Sequence, residues 1–471
     1  MNLQTDKYFF NSVELSAMYE KDALFIDTLV CIHPVLTLEL KKKETVKDTA
    51  QTITKSFPRL FKHTHFNYIN IEDAQLITKT NPDAATSTIT QKSNLKVYNL
   101  SLEENREPYL QTDSILLGLK NIRFVTPDSL FQILAQELTI VNNNLVLKNV
   151  VFGPTAQNHS GKGLTFTAPE FRLNNINFDK LLHKTLQADS AELFEPNIVI
   201  NSKKTTAAAA QSNTIISKDT AISLVKFYST LHGFRELVGL EKLRIINGNV
   251  SLSSSGKTDT HVHMKGIHAT ILPIHFVNSD SLVDIKHSLP EVRVASITVQ
   301  SGKANAQIRN FYFNGEIRKS CADHMHLSIG NETVVDIDKL YWEILDWDVF
   351  QKYKKIQITD LKAHQLVIKS THSTTVSTDT THRKPWGNLP DMQIFHMNVE
   401  HLKLHSIKGV DTMYMEAEAL DADTVRTIEH FFTWANIDGT FKNIYVSNKR
   451  VKASIHSMTD LKCLFRMHCS H

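Results

Sequence analysis

The chain has 471 residues, 41% hydrophobic and 21% charged, which excludes a wholly disordered polymer and leaves room for several domains. Its 52 basic and 49 acidic residues give a net charge of +3 and are spread along the sequence, so no clustered basic footprint for nucleic acid is present. Four cysteines, three of them widely separated, exclude a disulfide-stapled scaffold, and only 15 glycines leave most turns to Asn, Asp and Ser.

Met1–Phe10 holds Asp6 and Lys7 and lacks the apolar stretch of a signal peptide. Ala23–Leu40 is the best membrane candidate, but Asp27, His33, Pro34 and Glu39 interrupt it. It predicts two strands broken at Pro34, not a membrane span. Because the chain opens inside a strand pattern, residues 1–65 are expected to form a partial β unit of a protein lacking its anchor.

From Phe66 an apolar-x-apolar, turn, apolar-x-apolar pattern recurs. Tyr68–Lys79 places Ile69 and Ile71 before Glu72-Asp73-Ala74 and Leu76 after it, which predicts a hairpin. Glu137–Phe152 is a second hairpin type, with Leu138 and Ile140, then Asn142-Asn143-Asn144, then Leu145 and Leu147. Ala191–Asn201 returns to the first type, with Leu193 before Pro196-Asn197 and Ile198 and Ile200 after. Asp219 as N-cap, Gly239 beyond the end, and Ala221, Leu224, Val225, Tyr228, Leu231 and Val238 at helical spacing predict an amphipathic helix over Asp219–Gly239. Leu240–Gly256 is the clearest hairpin of the first type: Leu243 and Ile245, Asn247-Gly248-Asn249, then Val250 and Leu252. Further copies are expected at Ile356–Ile368 and Met397–Leu404. Ile297, Val299, Ala304 and Ala306 repeat the second type, as do Ile444, Val446, Val451 and Ala453.

The nearly constant offset between these copies suggests tandem duplication of a unit of about 150–160 residues. Residues 66–218 form the first β unit on this reading, 219–239 the helix, 240–391 the second unit and 392–471 a partial third. Thr424–Ala435 and Pro127–Gln136 have ambiguous periods, helical or strand. Thr80–Ser93, Ser202–Ser217 and Ser370–Lys384 are polar and of low complexity, and the shorter Ser253–Thr260 sits at the same point of the repeat. All are expected to be surface loops at one corner of the repeat. The expected fold is mainly β, an elongated curved antiparallel sheet of tandem repeats, groove- or solenoid-like, with one or a few short helices.

Chemistry is sparse. His261 and His263, and His324 and His326, are each two apart and would share a strand face, but no cysteine or carboxylate completes either set at a recognisable spacing. They read as surface histidines. Cys463, His468, Cys469 and His471 read as a terminus, not a zinc site. Ser160-Gly161-Lys162-Gly163 lacks the spacing of a phosphate loop, and the Gly-x-Ser-x-Gly, His-Glu-x-x-His and dinucleotide motifs are absent. No catalytic, cofactor-binding or metal residue is assigned, and the chain is expected not to be an enzyme. Tyr341, Trp342, Trp347 and Phe350 form an aromatic cluster that is expected to pack as core.

The stretch Leu243–Leu252, its copies at Ile69–Leu76 and Ile356–Ile368, and Leu138–Pro154 with its closing proline resemble the AsmA-like family of bacterial cell-envelope proteins, of the kind common in Bacteroidetes-type bacteria. The resemblance runs over most of the chain from about Phe66. It implies an elongated β-groove held in the periplasm or cell envelope by an N-terminal inner-membrane helix. It also implies lipid acyl chains and membrane or envelope proteins as partners, in lipid transfer between membranes or outer-membrane assembly. It carries no catalytic residues. A structural or adhesive cell-surface β-repeat protein is the competing expectation. The two differ in whether the apolar face is an open groove or a sealed core.

Overall fold

The computed structural model describes residues 2–39, 62–79, 87–103, 110–125, 131–156, 163–177, 186–203, 238–255, 259–273, 284–330, 332–346, 349, 353, 355–372, 392–408, 411–428, 431–447 and 452–458. These residues are mainly β, and they divide into two compact units: Met1–Asn197 with Gly233–Arg244, and Ile198–His232 with Ile245–His471. No described helix is long and apolar enough to cross a membrane.

The first unit opens with β1 (Asn2–Gln4), β2 (Lys7–Val13) and the short helix α1 (Leu15–Glu20). Then follow β3 (Ala23–Ile32) and β4 (Val35–Glu39), separated at Pro34 as the sequence predicts. The unit continues with β5 (His63–Lys79), β6 (Ser87–Glu103), β7 (Leu110–Gln111), β8 (Ser114–Val125), β9 (Phe131–Val141), β10 (Asn144–Pro154), β11 (Gly163–Ile176) and β12 (Leu186–Phe194). The spatial order runs β2, β3, β5, β6, β8, β9, β10, β11, β12. All these neighbours are antiparallel except β3 and β5; β4 is also parallel to β5. β13 (Asn197–Lys203) and β14 (Val238–Ser255) are the strands in which the chain passes from one unit to the other.

The second unit holds β15 (Thr260–Ile271), α2 (Ile285–Ser288), β16 (Glu291–Ser301), β17 (Ala304–Asn314), β18 (Lys319–Ile329), β19 (Thr333–Ile344), β20 (Ile356–His372), β21 (Met392–Lys408), β22 (Asp411–Ile428), β23 (Phe431–Ser447) and β24 (Lys452–Met458). Consecutive strands pair antiparallel from β15 to β24, except that β20 and β21 are parallel. Its core lies on one face of β19–β23. Leu340, Ile358, Ala363, Ile394, Met397, Val399, Leu402, Ala417, Leu420, Ala422, Val425 and Phe441 are all buried there.

A line of creases crosses this unit. From β15 to β22 each ladder skips one or two rungs there and resumes in the same register, as in Lys265↔Ser296 then Ile267↔Val294, His324↔Asp338 then Ala322↔Leu340, His401↔Glu418 then Val399↔Leu420. Gly266, Asn310, Lys339 and Ala419 adopt left-handed backbone at the skipped rungs. Along a regular strand, residues on one face are two apart. Here the apolar face advances by three, from Val294 to Ile297, Ile308 to Phe311, Ala363 to Leu366, Val399 to Leu402 and Ala417 to Leu420. From β15 to β22 each strand spends one extra residue at the crease, so these strands turn over together and their pairing survives, whereas the register between β22 and β23 shifts there. The device resembles a β-bulge, which also bends a strand at an extra residue. Asn and Gly serve it because they tolerate positive φ.

These creases correct the first hairpin type. Tyr68–Lys79 lies wholly within β5, with Asp73 left-handed at φ 48°, and Leu240–Ser255 lies wholly within β14, with Asn247 at φ 56°. Ile356–Ile368 is part of β20, and Met397–Leu404 part of β21. Ala191–Asn201 is interrupted at Glu195-Pro196 and continues from β12 into β13. The second hairpin type does form. Ile140 pairs with Leu145 across Asn142-Asn143, Val299 with Ala306 across Gly302-Lys303, and Val446 with Ala453.

Other expectations resolve unevenly. Thr424–Ala435 belongs to β22 and β23 apart from residues 429–430, and Phe131–Gln136 belongs to β9, so the described parts of both ambiguous segments are strand. Ser87–Ser93, expected as loop, is part of β6, and Ser253–Ser255 ends β14. The helix expected over Asp219–Gly239 lies outside the described residues as far as 237, and Val238 and Gly239 open β14. Residues 80–86, 204–217, 373–384 and the Cys463–His471 tail also lie outside them.

Candidate functional site

The apolar side of the second unit carries two unbroken rows of side chains, read directly from the strand register. One row runs Met264, Ile297, Ile308, Met325, Ile337, Leu366, Leu402. The other runs Val262, Val299, Ala306, Leu327, Val335, Ile368, Leu404. Each residue faces its counterpart on the next strand, so the rows cross β15 to β21 without a polar interruption. Leu402 is buried at 2% exposure, whereas every other member is only half-buried. On β15 the alternation is strict, with Val262 and Met264 half-buried and His261, His263 and Lys265 exposed.

Across the crease the same face changes character. Leu340, Ala363, Val399 and Leu420 are all buried, down to 0% exposure at Val399. Trp342 joins that side and packs against the core cluster and against Phe311, with ring centroids 6.0 Å apart. Tyr341, its neighbour in sequence, is placed between Lys319 and Lys362, whose Nζ atoms stand 5.8 and 6.0 Å from its ring. The expected aromatic cluster is therefore divided. Trp342 is core and Tyr341 belongs to the polar face, while Trp347 and Phe350 lie outside the described residues.

The polar face is rich in imidazole and carboxylate. His263 and His261 share hydrogen bonds with Ser251 and Ser253 on β14 (3.1 and 3.2 Å). His324 and His326 on β18 meet Asp338 and Asp336 on β19, each at 2.6 Å. The carboxylates that no local spacing revealed are thus supplied by the next strand, through the pairs His324↔Asp338 and His326↔Asp336. On β20 and β21, His364 Nδ1 lies 2.5 Å from Glu400 Oε2, and the rings of His364 and His401 meet edge-on at 5.4 Å. Ligand-capable atoms of His364, Glu400 and His401 all lie within 4.8 Å of one another, as do those of His396, Asp421 and Asp423. Sequence reasoning missed both sets because each draws on two strands.

Two carboxylates of β22 are tuned by simple pairs. The Tyr414 hydroxyl and the Asn443 amide donate to Glu416 at 2.7 and 2.8 Å and hold its carboxyl below its ordinary value. The Lys442 ammonium does the same for Glu418 at 2.6 Å. Burial pushes the Cys31 and Cys321 thiols up, which keeps both protonated and poorly nucleophilic.

No family model, no curated protein and no solved structure matches the chain.

Proposed function

We propose that the two aliphatic rows of the second unit hold lipid acyl chains, and that the protein is a non-enzymatic lipid-handling component of a cell envelope, as its resemblance to AsmA-like proteins implies. The observation that carries this reading is the half-buried state of the rows. A sealed core buries such side chains, as the same face does at Val399 and Leu420. An acyl chain needs no acid, base or metal. It needs a continuous apolar track, which stabilises it by roughly 0.8 kcal/mol per buried methylene. Seven strands at a spacing of about 4.8 Å make a row of roughly 30 Å, longer than one leaflet's half of a ~30 Å hydrocarbon core. Transfer of lipid between membranes, or support of outer-membrane assembly, is the work such a track would serve.

The test combines native mass spectrometry of the purified chain with crosslinking by a photoactivatable phospholipid. Co-purified phospholipid is expected, with crosslinks at Ile297 and Ile337 and none at Gln307 on the polar face. A chain free of lipid that also gives no crosslink at Ile297 or Ile337 would remove this reading and leave the scaffold or adhesin in its place.

A further inference from the structure

The creases do more than bend strands. In a regular strand adjacent residues point to opposite faces, so neighbours in sequence cannot serve one surface site. At a crease the apolar row advances by three, from Val399 to Leu402, and the two residues skipped, Glu400 and His401, are both exposed on the polar side. On the parallel neighbour the row advances from Ala363 to Leu366, which leaves His364 beside them at the rung that the ladder skips between Ala363↔Val399 and Gln365↔His401. Two imidazoles and one carboxylate are gathered in this way, with one ligand atom from each inside a 4.8 Å cluster.

We propose that His364, Glu400 and His401 form a binding site for a divalent transition metal of the zinc class. Two imidazole nitrogens and one carboxylate oxygen make a donor set that suits zinc, and such a three-ligand set leaves a coordination position open. The ammonium groups of Lys362, Lys403 and Lys442 are engaged by Asp360, Glu416 and Glu418, and Lys339 is placed opposite His364 at a rung that β19 and β20 skip. The Glu400 carboxylate is left to the His364 ring, an interaction that a metal replaces with a stronger bond. The polar face itself reproduces the arrangement at its other crease. There the apolar row of β21 advances from Ile394 to Met397, and His396 comes to lie 3.6 Å from Asp421 and 3.8 Å from Asp423. That set has one nitrogen donor, and the first has two, which is why zinc is assigned to the first.

The site is independent of lipid handling, because it lies on the polar face and uses none of the aliphatic rows. The experiment is zinc binding by the full chain after chelator treatment, read by competition with a chromophoric chelator. Cobalt(II) absorption provides a second readout of the ligand field. The unsubstituted chain is expected to bind zinc, and His401→Ala and Glu400→Gln are each expected to weaken binding at least about a hundredfold. Both positions are exposed, so the melting temperature of the metal-free variants should stay that of the parent. Cobalt bound at the site should show visible bands that both variants lose. Zinc affinity and cobalt spectra unchanged in both variants would overturn the assignment, and so would an unsubstituted chain that binds no zinc.

Discussion

Each unit contains a parallel joint in an otherwise antiparallel neighbourhood, and the two joints are built differently. In the first unit β5 faces a broken partner, β3 followed by β4. The break at His33-Pro34 is bridged by backbone bonds, His33 N–H donating to Glu72 and Gln75 N–H donating to Pro34, at 2.9 and 2.8 Å. It lies opposite the left-handed Asp73, so the crease of one strand meets an interruption in the other. Proline has no N–H to contribute to a ladder, so the strand must stop there. In the second unit β20 and β21 are unbroken, each 17 residues long, and both cross their crease in continuous strand. The aliphatic pairs Ala363↔Val399 and Leu361↔Met397 lie at that joint, and the largest buried cluster of the unit is built around it. At the first joint the buried residues are Ala23, Ile26, Pro34 and Ile69. The difference teaches that a crease can be held by backbone bonds across a gap or by apolar packing across intact strands, and only the second builds a core.

The largest test of that contrast is a cavity. Leu420 is 1% exposed and packs beside Val399, so Leu420→Ala is expected to cost about 2–5 kcal/mol. Ile69→Ala, at 8% exposure beside the first joint, is expected near the bottom of that range. All four tryptophans (342, 347, 386 and 434) lie in the second unit, so tryptophan fluorescence during denaturation reports on that unit alone. Circular dichroism reports on both. Equal losses in the two variants would break the comparison.

A smaller effect is expected at the crease itself. Gly266 has φ +65°, and a Cβ there would stand 2.8 Å from the Ala295 Cβ. Gly266→Ala therefore combines left-handed strain with overpacking and should destabilise by about 1–3 kcal/mol. Chemical denaturation with fluorescence detection checks it, and a neutral result would mean that the crease yields easily and that intact strands are not what holds it.

Much of the fold was legible because alternation of apolar and polar residues is so regular here. The break at Pro34, the strand content and the hairpins at Asn142-Asn143 and Gly302-Lys303 all follow from it. The misreading of Asn247 and Asp73 as hairpin turns has a definite physical cause. In a two-residue hairpin, same-face partners across the turn are an odd number of residues apart, as Ile140 and Leu145 are. Across a crease the apolar face also advances by an odd number, and both devices recruit Asn or Gly for positive φ. Period and turn chemistry are then identical, and only the pairing of the next strand separates them. The imidazole clusters were illegible for a related reason. His364 and Glu400 become neighbours solely through parallel pairing, which no local spacing announces.

The smallest effect concerns acid. Glu416 on β22 is held ionised chiefly by the Tyr414 hydroxyl and then by the Asn443 amide, with its carboxyl below the ordinary 4.5. Asp27 on β3 accepts from the Asn67 amide of β5 across the first joint and from Thr28, and lies below its ordinary 3.8. A carboxyl whose pKa is lowered by folding contributes stability that is present above its unfolded value and is lost as pH falls through the folded one. Loss in the second unit should therefore begin as pH drops below about 4.5, and loss at the first joint only below about 3.8. Melting temperatures followed by tryptophan fluorescence should decline over the first window in the parent chain. In Glu416→Gln that decline should be shallower, because the amide is neutral throughout and keeps a hydrogen bond to Asn443. Asn67→Ala should leave the fluorescence profile unchanged and reduce only the acid dependence seen by circular dichroism at lower pH. If Glu416→Gln keeps the parent's full pH slope, the acid sensitivity of the second unit lies with other carboxylates, such as Glu418 beside Lys442, and the order of acid loss between the two joints would have to be assigned from those groups instead.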